Sequence, residues 1–266
     1  MAMIVDGKAI AKRVYAELKN EVSHLTQVPH LTVFTCAPNF ETKKYLQLKK
    51  QKAQEIGLGV SIVELPETLT TQEVVQSVQH ACMQTDGIIV QLPLPEHIDT
   101  DIVLAAIPAS YDVDGMNYDG TAHTVVSPVV AAIDEISRVH DVLFVGRNVV
   151  VLGHGRLVGK PAALWAQQQG AKVTVLTKES EDIEVHIAAA DILILGAGVP
   201  HMVTSDMVKE GAIIFDAATS EDGGELAGDA CPDCVQKASL LTPVPGGIGP
   251  ITVAMLLRNV VERVSH

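Results

Sequence analysis

Apolar and polar residues follow two periods along this chain, and the two take turns. Residues 31–36 (LTVFTC) make an apolar run of strand length, and residues 41–57 carry a polar-rich helical pattern closing at Gly57. Residues 59–65 (GVSIVEL) read as a strand, 70–83 as a helix, and 86–95 (DGIIVQLPLP) as a strand that prolines stop. An amphipathic helix from Gly7 to about Leu25 precedes them. This β-α-β-α-β order predicts an α/β domain.

Residues 111–128 (YDVDGMNYDGTAHTVVSP) are rich in Asp, Gly and Asn and read as a crossing loop. A helix follows at Pro128, well placed for a helix start. A second series then runs: strand 147–153 (RNVVVLG), helix 155–170 (GRLVGKPAALWAQQQG), strand 171–177, a short helix, and strands 191–198 (DILILGAG) and 211–218 (GAIIFDAA). It ends in SLLTPVPGGIGP and a C-terminal helix. The pattern predicts one α/β domain over residues 1–122, completed by the helix 249–266, and a second, Rossmann-type domain over 123–248, with a cleft between them. There is no internal repeat and no low-complexity segment.

Hydrophobic residues make up 47% of the chain but aromatics only 3%, so the core is aliphatic, as suits parallel strands buried on both faces. The formal net charge of −13 and the lack of a dense basic run argue against a nucleic-acid partner. The tightest basic cluster, Lys43, Lys44, Lys49, Lys50 and Lys52, reads mostly as a solvated helix face. No apolar segment reaches bilayer length and the N-terminus lacks a signal-peptide core, so a cytoplasmic protein with no membrane contact is expected. Of the 4 cysteines, only Cys231 and Cys234 are close, and a zinc ribbon needs a second pair. Structural thiols and no metal are expected.

Five motifs carry candidate chemistry. In VVVLGHGRLVG a strand runs into Gly153, His154 and Gly155 and then a helix, a turn that lets backbone approach a pyrophosphate at a helix N-terminus. Any tight strand-to-helix turn also wants glycine. Tyr45 and Lys49, four apart, share a helix face with Cβ atoms roughly 6 Å apart; a lysine desolvated by an aromatic ring suits proton transfer, although spacing alone favours a surface lysine. Gln91 in VQLPLP closes a strand at the edge where open α/β sheets bind ligands. Asp112 and Asp114 in DVDG make either an ordinary turn or an anchor for an amide-rich heterocycle. Residues 242–250 (TPVPGGIGP) form a rigid, side-chain-poor loop, either a ligand wall or a plain connector.

Taken in order, YxxxK, VQLPLP, DVDG, the Gly-rich turn with VGxP, and TPVPGGIGPxTVAML resemble the methylenetetrahydrofolate dehydrogenase/cyclohydrolase family over essentially the whole chain. The resemblance implies a folate enzyme that passes a hydride to NADP, or alternatively NAD, and hydrolyses the methenyl product. It makes Lys49 the catalytic lysine, with Tyr45 packing near the folate, Gln91 hydrogen-bonding and tuning Lys49, and Asp114 holding the pterin. Leu92, Pro245, Gly246 and Gly247 then line the substrate, a tetrahydrofolate derivative. Gly153, His154, Gly155, Arg156, Val158 and Gly159 fall on the dinucleotide side, as do Lys178, Gly198, Pro200, Ile248 and Thr252. A homodimer joined through the nucleotide domains is also implied.

The chain departs from the family pattern on the cofactor side. GRSxxVGxP reads GHGRLVGKP, with His154 for the arginine that meets the 2′-phosphate of NADP and Gly155 for the serine. The His-Ser pair after the next strand is replaced in the stretch 176–179, where Lys178 supplies a cation. PCTPxG has become VSPVVAA (126–132), and IDCGIN has become FDAATS (215–220). These changes motivate one alternative, a folate-binding protein with a weakened or lost dehydrogenase half. The other is a different two-domain Rossmann dehydrogenase, such as a shikimate or amino-acid dehydrogenase. It accounts for the glycine turn but not for VQLPLP, DVDG or PVPGGIGP.

Overall fold

The structure, a computed structural model, describes residues 2–265, with the backbone alone for Glu41. The first half runs β1 (Met3–Ile4), α1 (Gly7–Val22), β2 (His30–Cys36), α2 (Phe40–Ile56), β3 (Gly59–Leu65), α3 (Thr71–Ala81), β4 (Gly87–Val90) and α4 (Thr100–Ala105). The second runs α5 (Pro128–Val139), β5 (Asn148–Leu152), α6 (Gly159–Gln168), β6 (Lys172–Leu176), α7 (Ile183–Ala189), β7 (Ile192–Leu195) and β8 (Ile213–Asp216). It closes with β9 (Ser220–Asp222), β10 (Glu225–Ala227), β11 (Leu240–Leu241) and α8 (Ile248–Ser265). The chain divides into two compact units, residues 13–125 with 253–265, and residues 2–12 with 126–252.

In the unit built on residues 13–125, a parallel sheet has the order β3-β2-β4. β2 is the first of its strands, so the order reverses between β2 and β4, where open α/β sheets leave a crevice at the carboxyl ends. Asn39 caps α2 by accepting the Thr42 N–H at 2.8 Å. Gly57, left-handed at φ 91°, closes it. β4 is shorter than its apolar run suggests. It ends at Val90, because Pro93 and Pro95 have no N–H for a ladder. The C-terminal part of α8 packs on this unit: Asn259 Nδ2 donates to the Val113 carbonyl at 2.9 Å and Arg258 pairs with Glu17 at 2.9 Å.

The second unit holds an all-parallel sheet of 6 strands, β1-β11-β8-β7-β5-β6. Its central strands, such as ILIL in β7, are buried throughout, which accounts for the Val/Ile/Leu runs. β5 comes first with β6 on one side and β7 on the other, so a second reversal point lies between β5 and β7. The N-terminal strand differs from the reading of the sequence, which put it in the first domain: β1 adds to this sheet beside β11, and residues 2–12 cluster here.

The helix expected from Gly155 starts instead at Gly159, after a turn over residues 156–158. Pro161 is the reason. It has no N–H to bond the carbonyl four residues back, so it fits only the first turn of a helix. That carbonyl, of Leu157, receives the Ser127 hydroxyl at 3.2 Å instead. Among the described residues no helix is long and apolar enough to cross a membrane.

Candidate active site

In the first unit the crevice beside β2 and β4 gathers four of the expected residues. Lys49, on α2, is only 5% exposed. Its Nζ donates to Gln91 Oε1 at 3.1 Å and lies 4.5 Å from the centroid of the Tyr45 ring, one helical turn away. Gln91 follows the last residue of β4. Its Nε2 donates to the Leu92 carbonyl at 3.0 Å, which leaves Oε1 turned toward the lysine. Leu92 thus anchors the amide that anchors Lys49.

The two acids of DVDG divide their roles. Asp112 is buried and accepts the N–H groups of Met116 at 3.1 Å and Asn117 at 2.8 Å, so it shapes the turn. Asp114 is the acid whose charge acts on Lys49. Burial pushes the Asp114 carboxyl up from the ordinary range, and the Lys49 charge opposes this. Burial pushes the Lys49 amine down, and Asp114 opposes that. Desolvation wins for both, so each is nearer neutrality than in water. Tyr45 is 38% exposed, but burial of its hydroxyl end, with the Asp114 charge, pushes its pKa up to about 12. The arrangement gives a shielded amine that can hold or release a proton and a carboxylate beside it.

In the second unit the glycine turn sits at the β5/β7 reversal point. Gly153 has φ +93°, and a Cβ there would lie 2.5 Å from the Gly196 carbonyl oxygen. A Cβ on Gly159 would overlap the Gly153 carbonyl. These glycines let the ends of β5, β7 and α6 touch. Gly155 differs, because nothing lies within 4 Å of the Cβ it lacks. His154, Gly155 and Arg156 are exposed, while Val158 is the residue before α6.

Lys178 lies just past β6. Its side chain is 90% exposed and its Nζ is 3.8 Å from Glu179 Oε1. Gly198 (φ +73°) and Pro200 lie in the loop after β7. Pro245, Gly246, Gly247, Ile248 and Thr252 belong to this same unit. The glycine pair has a local cause: the Gly7 N–H donates to the Gly246 carbonyl at 3.0 Å, and a Cβ on Gly7 would overlap the Gly247 carbonyl. Thr252 Oγ1 donates to the Ile248 carbonyl at 3.3 Å.

The CPDC thiols are free; Cys231 donates to the His201 carbonyl at 3.5 Å and Cys234 to that of Val203 at 3.3 Å. Burial first, then nearby acids, push the Cys234 pKa up to about 12, so it is an inert thiol. No group of three His, Cys, Asp or Glu side chains placed to hold a metal occurs among the described residues. Reading the sequence missed two buried acids, Asp216 and Asp229, which organise the carboxyl edge of β7 and β8. Their only signal was an acid closing an apolar strand and another after Gly228.

Two family models match the chain. The catalytic domain of tetrahydrofolate dehydrogenase/cyclohydrolase matches residues 5–114, and its NAD(P)-binding domain matches residues 127–266. The bifunctional protein FolD of Exiguobacterium sibiricum is 36% identical over 274 residues, covering 98% of this chain and 99% of its own. The bifunctional methylenetetrahydrofolate dehydrogenase/cyclohydrolase of Campylobacter jejuni superposes with a TM-score of 0.96 at 30% identity, covering 100% of this chain and 99% of its own. The Trypanosoma brucei enzyme, complexed with NADP and an inhibitor, gives 0.91 at 32% identity, covering 99% and 97%. Two matched domains spanning nearly every residue, joined to this geometry, place the chain in the tetrahydrofolate dehydrogenase/cyclohydrolase family.

Proposed function

We propose that this chain oxidises 5,10-methylenetetrahydrofolate to the 5,10-methenyl form with NADP, NAD being an alternative acceptor, and hydrolyses that product to 10-formyltetrahydrofolate. The observation that carries the reading is the buried Lys49 amine, held by Gln91 and Tyr45 beside Asp114. Matches over both domains tell against another two-domain dehydrogenase, and the close approach that Gly153 and Gly159 still allow tells against a lost dehydrogenase half.

The turn fits a dinucleotide. Gly155 leaves open space where a pyrophosphate can meet backbone, and residues 153–159 would hold it. When bound, the dinucleotide supplies the nicotinamide that takes up the hydride. The chain's part in that step is orientation. Asp114 would hold the pterin through its amino and ring nitrogens, with Leu92 lining the folate on the same unit.

Hydrolysis asks more of the side chains. Water adds to the methenyl carbon, and neutral Lys49 accepts a proton as the C–O bond forms. The bond from that carbon to N5 then breaks. Lys49 returns its proton to N5, the hydroxyl loses its own to solvent, and the formyl group stays on N10. One water is consumed and one proton released. Gln91 Oε1 binds one N–H of Lys49 and so aims the amine.

The test is the pH profile of methenyltetrahydrofolate hydrolysis without dinucleotide, corrected for the uncatalysed rate. A lowered lysine pKa must be passed from below for the base to be neutral. The rate is expected to rise with pH and to level off before the ordinary lysine range. A rate that follows only the uncatalysed reaction defeats the proposal.

For the 2′-phosphate of NADP, the cation is Lys178. It lies past the strand next to β5, where the adenosine ribose lies in this fold. Its pairing with Glu179 is solvent-exposed and therefore weak. Lys178→Ala is expected to raise the Michaelis constant for NADP at least several-fold and that for NAD little. Equal shifts, or none, would remove Lys178 from this role. The same resemblance supports a homodimer joined through the nucleotide-binding half, and a monomeric mass in sedimentation would exclude it.

A further inference from the structure

The loop after β7 is tied down by a side chain with no part in the proposed reaction. Asp229 is 0% exposed. Its carboxylate accepts three consecutive backbone N–H groups: Ala197 at 2.7 Å and Gly198 at 3.3 Å on Oδ2, and Val199 at 2.8 Å on Oδ1. The neighbouring backbone adds two more ties. The Gly228 carbonyl accepts the His201 N–H at 3.0 Å, and the Asp229 carbonyl accepts the Val203 N–H at 2.9 Å. Residues 197–203 are thus clamped along their length by residues 228 and 229.

The clamp is itself braced. Asp216, at the end of β8, accepts the Ala230 N–H at 2.8 Å through Oδ2 and the Ala218 N–H at 3.1 Å through Oδ1. It packs so closely on Gly228 that a Cβ there would overlap Oδ2. Residues 228–230 therefore lie between the β7 loop and the β8 carboxylate.

Such a clamp is a costly way to hold a loop. A buried carboxylate met only by backbone donors is stabilised less than it loses on leaving water, unless those donors are well aligned. Burial pushes the Asp229 pKa up, and the three N–H groups oppose it. What the carboxylate achieves is geometry, because three N–H vectors converge on one side chain.

The loop it holds is one wall of the dinucleotide crevice. Residues 197–199 start where β7 ends, next to the end of β5, at the point where strand order reverses. The glycine turn forms the other wall, and the two touch: a Cβ on Gly153 would lie 3.1 Å from the Ala197 Cα. We infer that Asp229 is a positioning residue for the dinucleotide: its carboxylate sets the backbone of residues 197–199 against which the dinucleotide lies, without touching it. The inference rests on the proposed binding of a dinucleotide at this turn.

Asp229→Asn and Asp229→Ser test it. The amide keeps the size but offers one acceptor oxygen and turns an NH2 toward a backbone donor. The serine hydroxyl ends one bond nearer the backbone than the carboxylate oxygens, so it falls short of all three N–H groups and carries no charge. The Michaelis constants for NADP and NAD are expected to rise at least tenfold in both variants, in each case by more than kcat falls. The amides of Ala197 and Val199 should exchange hydrogen faster than in the unaltered protein. A merely structural role would lower kcat with the unfolded fraction and leave the Michaelis constants alone, and that result overturns the inference. So does fast exchange of those two amides in the unaltered protein, a measurement that needs no variant to fold. An unaltered protein that binds neither dinucleotide would instead defeat the proposed function, and the inference with it.

Discussion

Replacing Lys49 with Met is expected to slow methenyltetrahydrofolate hydrolysis by roughly 10²- to 10⁴-fold, the usual contribution of a positioned acid–base group. The thioether fills similar space but moves no proton. The protein should still fold. Lys49 is buried, and removing an amine that burial already disfavours relieves a desolvation cost. Asp114 loses its counter-charge and should take up a proton at a higher pH than before. Hydride transfer depends on orientation more than on this amine, so it should fall far less than hydrolysis. Hydrolysis retained in a folded variant would sink the assignment of Lys49.

The second large effect is expected from Asp114→Asn. A carboxylate can accept from both the amino and the ring nitrogen of a pterin, whereas an amide offers one acceptor and places a donor against a donor. Hydrogen bonds to a charged group contribute about 1.5–3 kcal/mol, which corresponds to a loss of folate affinity of roughly 10- to 100-fold. Dinucleotide affinity should hardly change, because the glycine turn and Asp114 belong to different units of the chain. Equal loss of both ligands would reduce DVDG to a structural turn, the role that Asp112 already fills. The sign of the pH effect follows from the raised Asp114 pKa. Folate affinity should be full while the carboxylate is ionised. It should fall as pH drops through that raised value, earlier than for an exposed aspartate.

Much of this arrangement was legible in the sequence because it depends on local rules. Gly57 marked the end of α2, and a four-residue spacing put Tyr45 and Lys49 on one face. Gln91 closed an apolar run, and the structure sets its amide against Lys49. Other features depend on contacts that spacing does not encode. Nothing in DVDG says which acid turns the chain and which one's charge acts on the lysine. β1 and β11 have two residues each, too short for any period to register. The β9–β10 hairpin lies in a stretch where the reading of the sequence has no strand, although Asp222-Gly223-Gly224-Glu225 is a strong two-residue turn signal, with both glycines at positive φ. The start of α6 was legible after all, since Pro161 forbids a helix beginning at Gly155. Asp229 was not: an aspartate in a Gly/Asp-rich stretch looks solvent-exposed until the fold buries it.

The most direct test of the account follows one substrate through both reactions on the purified protein. Given 5,10-methylenetetrahydrofolate and NADP, the protein should form NADPH in step with loss of the methylene form. The methenyl absorbance should rise and then decay into 10-formyltetrahydrofolate, and with Lys49→Met it should rise and persist. Failure to form NADPH or NADH at any concentration of dinucleotide, or a methenyl signal that decays no faster than in buffer alone, would contradict it.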